Sequence, residues 1–172
     1  SLLLDRDEQV RLIAALALAR LGEPALPALL RVFRKANEEA ARNPNQPFHF
    51  LPGQVLRNHR EAVLFVLSHW AKSSSTAPMV AKLLGDKDPQ VVSVAQDALR
   101  QGGAVAMKAV MPYLNDRRLP VRMAALSVLG AYGDAAIDAL RRFVLEDDSK
   151  KVKTPEDLEI RQMAVYALGN TR

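Results

Sequence analysis

From Val121 onward, apolar residues fall at Val121, Ala124, Ala125, Val128 and Leu129. This is the i, i+3, i+4, i+7, i+8 spacing that lays one apolar stripe along a helix. The same pattern begins at Val10 (VRLIAALALARLG), Asn58 (NHREAVLFVLSHW), Val91 (VVSVAQDALRQGG) and Ile160 (IRQMAVYALGN). With the five copies in register, the fifth position is always alanine: Ala14, Ala62, Ala95, Ala125 and Ala164. The ninth is a branched aliphatic: Leu18, Val66, Leu99, Leu129 and Leu168. The thirteenth is Gly22, Gly103 and Gly133 in three copies and Trp70 in the second. A small residue at position five lets a neighbouring helix approach. A glycine at position thirteen suits the left-handed residue that ends a helix.

A second apolar segment follows each of the first four helices within a few residues. Leu26, Val80, Met107 and Ile137 correspond, as do Leu29, Leu83, Val110 and Leu140. Each unit therefore reads as a helix, a tight turn and a helix returning antiparallel. Asp88-Pro89 and Thr154-Pro155 read as an N-cap followed by proline at the first helical position, where its missing N–H costs nothing. Pro24 and Pro78 open second helices, the SSST turn could cap the latter, and Pro112 should kink the helix that contains it.

The copies start 48, 33, 30 and 39 residues apart, so the basic unit is about thirty residues with two insertions. The repeats lie roughly at 5–36, 55–85, 86–115, 116–146 and 155–172, and the insertions at 37–54 and 146–157. The first insertion is rich in proline and carries Phe48 and Phe50; the second is charged. The last copy stops where its second helix should begin, and Leu2, Leu3 and Leu4 look like the tail of a preceding helix. We therefore expect a segment of a longer repeat protein, with Ala14, Ala62, Ala95, Ala125 and Ala164 buried between helices.

These repeats resemble HEAT repeats, specifically the short HEAT-like repeats of phycobilisome lyases. The carriers are DRDEQVRLIAALALARLGEPALPAL, DKDPQVVSVAQDALRQGG and LPVRMAALSVLGAYGDAAIDAL. They look like that family's run of acidic turn, Val-Arg, Ala, Ala-Leu, Gly and second helix. The second copy departs most, so its turn (AKSSSTAP) should be longer. The resemblance implies an all-α protein, a right-handed α-solenoid of about five HEAT-like pairs with the last incomplete. It also implies a bacterial source and second helices lining a concave face. Arg11, Arg122 and Arg161 match the family's Val-Arg pair and should bind a neighbouring repeat's acidic turn.

Composition narrows the chemistry. The 172 residues include no cysteine, so disulfides and cysteine metal sites are excluded. No apolar run approaches eighteen residues, and SLLL runs directly into charged DRDEQ, unlike a secretory signal. We expect a soluble, cytoplasmic module. The net charge of +5 allows an acidic partner without demanding one.

Candidate chemistry is sparse. His59 and His69 lie ten residues apart, not the i, i+4 spacing of a helical metal pair, and His49 lies in the first insertion. None is followed by glutamate, so the His-Glu dipeptides of the HEAT-like di-iron hydroxylases are missing. Asp5/Asp7 and Asp86/Asp88 precede first helices, where carboxylates cap free N–H groups. We expect no catalytic residue, metal or cofactor.

The second helices carry Arg31, Arg34, Lys35, Lys82, Lys108, Arg141 and Arg142. These form either a cationic surface for an acidic protein or nucleic acid, or a merely solvated face. Phe48 and Phe50 either recognise a partner or anchor the insertion. Trp70, Tyr113, Tyr132 and Tyr166 sit in apolar helical positions and read as core. The expected function is a protein–protein interaction scaffold. The resemblance leaves two alternatives: a DNA-glycosylase-like nucleic-acid module using a basic concave face, and a bilin-lyase-like subunit.

Overall fold

The computed structural model describes residues 2–5, 7–42, 58–146, 155, 158 and 162–165, without the side chains of 139 and 142–146. Phe48, Phe50, His49, Ile160, Arg161, Tyr166 and Leu168 lie outside the described residues, as does the Arg142 side chain. Among the described residues, helices run in four pairs: α1 (Glu8–Leu21) with α2 (Leu26–Arg42), α3 (His59–Ala71) with α4 (Ala77–Lys82), α5 (Pro89–Arg100) with α6 (Gly103–Val110), and α7 (Leu119–Gly130) with α8 (Asp134–Glu146). Residues 162–165 are helical, and no strand occurs among the described residues. The protein is an all-α stack of helical pairs. Its layers follow from the first helices: α1 packs on α3, α3 on α5 and α5 on α7.

The repeat registers explain this packing. Ala62, Ala95, Ala125 and Ala164 have no exposed surface, so position five is where helices meet most closely. The first copy differs. Ala14 is only half-buried, and Arg11, Ala15 and Ala19 form the buried i, i+4, i+8 row. The buried row of this helix is turned by about one position relative to the other copies.

Chain direction reverses where the sequence predicts. Gly22, Gly103 and Gly133 have φ of 67°, 64° and 54°, a region that disfavours any side chain. The second copy, with Trp70 there, instead uses the longer turn Lys72–Thr76. Thr76 does not cap α4. Its Oγ1 donates to the Trp70 carbonyl at 2.6 Å and ties off the end of α3, while α4 starts without a side-chain cap.

Pro112 does not kink a continuous helix. The chain leaves α6 at Val110 and tightens to a 3-10 turn over Met111–Asn115. The Leu83–Gly85 segment ends its second helix in the same way without a proline. The 3-10 close therefore belongs to the repeat, and Pro112 conforms to it. The first insertion also begins later than its composition suggests. α2 continues through Arg42, because EEAAR is built from strong helix formers and Glu39 pairs with Lys35 one turn earlier.

Candidate protein-interaction surface

The turns before the first helices form one recurring structure. Asp7 accepts from the Gln9 amide at 2.8 Å and Asp88 from the Gln90 amide at 2.9 Å, each satisfying an otherwise free N–H. Asp5, Asp86 and Asp116 each accept from the amide two residues on, at 2.9 Å in all three. These carboxylates build turns. Among the described residues no group of three or more His, Cys, Asp or Glu side chains is placed to hold a metal ion.

The bonds of Arg11 and Arg122 to backbone carbonyls run to their own repeats, not to the neighbouring repeat's turn that the family pattern suggested. Each donates to a backbone carbonyl of its own turn, Arg11 to Asp5 at 2.6 Å and Arg122 to Asp116 at 3.1 Å. The geometry favours this: an arginine at position two points back along the helix toward the turn it has just left.

Other cations bind one repeat to the next. Arg34 Nη2 meets both oxygens of Asp86 at 2.8 and 2.7 Å, and its Nε lies 3.6 Å from Asp88. Arg60 on α3 reaches Asp97 on α5 at 2.6 Å and Ser93 at 3.1 Å. Arg100 pairs with the same Asp97 at 2.8 Å and passes on to Ser127 of α7 at 2.8 Å. Arg118 donates to the Gly85 carbonyl at 3.0 Å while its remaining donors engage Asp116. Those bonds hold the Asp116 carboxyl below its usual pKa. Two open grooves flank this junction, lined by Arg34 and residues 85–88 on one side and by Leu84, Val92, Arg118 and Pro120 on the other.

The predicted cationic surface therefore divides. Arg34 belongs to the inter-repeat ties, and Lys35 makes an exposed pair with Glu39 at 3.8 Å. Arg31, Lys82, Lys108 and Arg141 are exposed and make no ion pair among the described residues. They lie on α2, α4, α6 and α8, one cation from each second helix.

Trp70, Tyr113 and Tyr132 pack in or against the core, as expected, and two of them have a polar role that the sequence did not reveal. Trp70 is buried, and its Nε1 donates to the Ala19 carbonyl near the end of α1 at 2.9 Å. Tyr132, half-buried, donates its hydroxyl to the Leu99 carbonyl near the end of α5. Burial raises the pKa of both Tyr132 and Tyr113. Two aromatics thus reach back to cap the preceding repeat's first helix. Their positions, thirteen and twelve of their copies, are the only sequence signal.

Of the described histidines, His69 is exposed and His59 is half-buried. The His59 ring lies 5.8 Å from that of Phe33, and its Nε2 is 2.7 Å from Asn37 Oδ1. Burial lowers the His59 pKa. Asn37 Nδ2 is buried without a hydrogen-bond partner among the described residues.

Comparisons with known proteins agree with this architecture. The family model for the PBS lyase HEAT-like repeat matches residues 10–35 and 121–146. A phycobilisome maturation protein of Synechococcus elongatus is 31% identical over 103 residues, 59% of this chain and 46% of the relative. The chain spans about half the length of that curated relative. The matched segments coincide with the first and fourth helical pairs, and over those two pairs the chain is similar to HEAT-like repeats of the PBS lyase type.

Proposed function

We propose that this protein is a binding scaffold whose second helices offer Arg31, Lys82, Lys108 and Arg141 to an acidic protein surface. The observation that carries the reading is the division of cations. Arg34, Arg60, Arg100 and Arg118 are engaged in contacts within or between repeats, whereas those four face solvent without ion pairs among the described residues. Single exposed charges spread over several helices steer an encounter and set its orientation more than they add affinity. The aromatics Trp70 and Tyr132 are engaged in packing and hydrogen bonds, which leaves them poorly placed to stack bases. Any nucleic-acid binding is then weak, salt-sensitive and indifferent to sequence.

The relative's name favours a second, more specific reading in which the acidic partner is a phycobilisome protein and the chain assists its maturation. Bilin-lyase-like activity is the catalytic form of that reading.

The test is binding of the labelled protein to purified phycobilisome subunits and, separately, to duplex DNA at about 50 and 200 mM salt. The combined variant R31E/K82E/K108E/R141E should keep its thermal unfolding temperature and lose roughly ten-fold or more in affinity for the acidic protein. Unchanged affinity would remove the cationic face from the function. DNA binding that survives the higher salt and distinguishes sequences would replace the scaffold with a nucleic-acid module. Bilin transfer to an apo-subunit would establish the lyase form.

A further inference from the structure

We propose that the outer face of α1 is a stacking surface, covered by one further HEAT-like helical pair that lies ahead of Leu2 in the same polypeptide and ends at Leu2–Leu4. Two independent observations carry this.

The first is the character of α1. Its inner row faces α3, yet its opposite side is also apolar. Ile13 is 65% exposed and Leu21 62%, and Leu16 and Ala17 are exposed between them. Ile13, Leu16, Ala17 and Leu21 sit three and four residues apart, so they share one side of the helix. A helix apolar on both sides is built for the interior of a stack. α3 has that composition, buried on several sides, and packs between two first helices, α1 and α5. The missing neighbour of α1 is therefore another first helix, continuing the series of first-helix contacts that builds the rest of the molecule.

The second observation identifies where that helix comes from. Leu2–Leu4 forms a 3-10 turn followed by Asp5 and Asp7 with the paired amide bonds already described. Leu83–Gly85 precedes Asp86 and Asp88 in the same way, and the 3-10 turn ending at Asn115 precedes Asp116. In both interior cases that turn closes a second helix. Leu3, Leu84 and Leu114 correspond and are all buried. Leu2 corresponds to Leu83, which is 6% exposed, yet Leu2 is 64% exposed. The turn at Leu2–Leu4 is thus shaped as the end of a second helix and lacks the packing that such an end receives elsewhere. A second copy of the chain would cover Ile13 but would give no reason for this shape.

The experiment compares the 172-residue chain with the polypeptide encoded by its gene from the natural start, with and without I13E/L16E. In the gene-length protein the α1 amides should exchange about ten-fold or more slowly than in the short chain. The double variant should lower its unfolding temperature by several degrees. In the short chain the same variant should leave unfolding nearly unchanged. The proposal fails if α1 is equally protected in both proteins, or if the variant is silent in the longer one. It fails also if the gene encodes no helical pair ahead of Leu2. A dimer of the gene-length protein that the variant dissociates would assign the face to a second copy instead.

Discussion

Single residues hold this stack at contacts too close for substitution. Ala125 has no exposed surface, and enlarging it to leucine overpacks a closed helix contact. Ala125→Leu should cost about 1–3 kcal/mol, read as a shift in denaturant midpoint. Gly102 is tighter still. A Cβ there would lie 2.4 Å from that of Ala106 and 2.7 Å from the Ala71 carbonyl oxygen. A backbone atom cannot swing aside, so Gly102→Ala should destabilise by a similar amount, roughly 1–3 kcal/mol, although alanine is the better helix former. Trp70→Phe retains most of the buried ring but removes the donor to Ala19. Calorimetry should show about 1–3 kcal/mol lost, the cost of a buried carbonyl left unpaired. The small-residue positions are legible in the sequence because size and period both mark them. The indole's hydrogen bond is not, because its partner lies 51 residues away and is a backbone atom that any residue would supply.

At the scale of the element, helix boundaries follow local chemistry. Asp88 before Pro89 marks the start of α5, and Gly103 marks the reversal into α6. The division of the basic residues is a different matter. Arg34 and Arg31 sit on the same helix and look equivalent in sequence. Only the approach of Asp86, 52 residues on, commits one and leaves the other without an ion pair among the described residues. The α2–α3 junction carries a pH response. His59 has its pKa lowered by burial from 6.5, so the unfolded chain binds this proton more readily than the folded one. Stability is therefore full above pH about 6.5 and falls as pH drops from there toward the lowered folded value. Unfolding temperatures measured from pH 7.5 to 5 should show this decline, and His59→Gln should flatten it. An unchanged slope in the variant would assign the response to another group.

For the whole molecule, a stack of nearest-neighbour contacts divides its stability unevenly. α5 packs on α3, α6 and α7, while α8 meets α7. Leu99 and Leu140 are both fully buried, so truncating either removes similar apolar surface. Each substitution by alanine should cost about 2–5 kcal/mol where the structure cannot relax. The locations of the losses should differ. Leu99→Ala should weaken hydrogen-exchange protection on both sides of α5. Leu140→Ala should release mainly α7 and α8, since repeats communicate only through their neighbours. Uniform loss of protection in both variants would mean that the pairs unfold as one cooperative block.

The back-reaching aromatics also give the stack a direction in time. The Ala19 carbonyl receives its donor from Trp70, 51 residues later, and the Leu99 carbonyl from Tyr132, 33 residues later. A ribosome adding about 5–20 residues per second therefore delivers each of these closing bonds some seconds after the helix it secures. During synthesis each helix so closed waits for the next pair to emerge, and the trailing edge of the nascent solenoid stays open until the following pair is made.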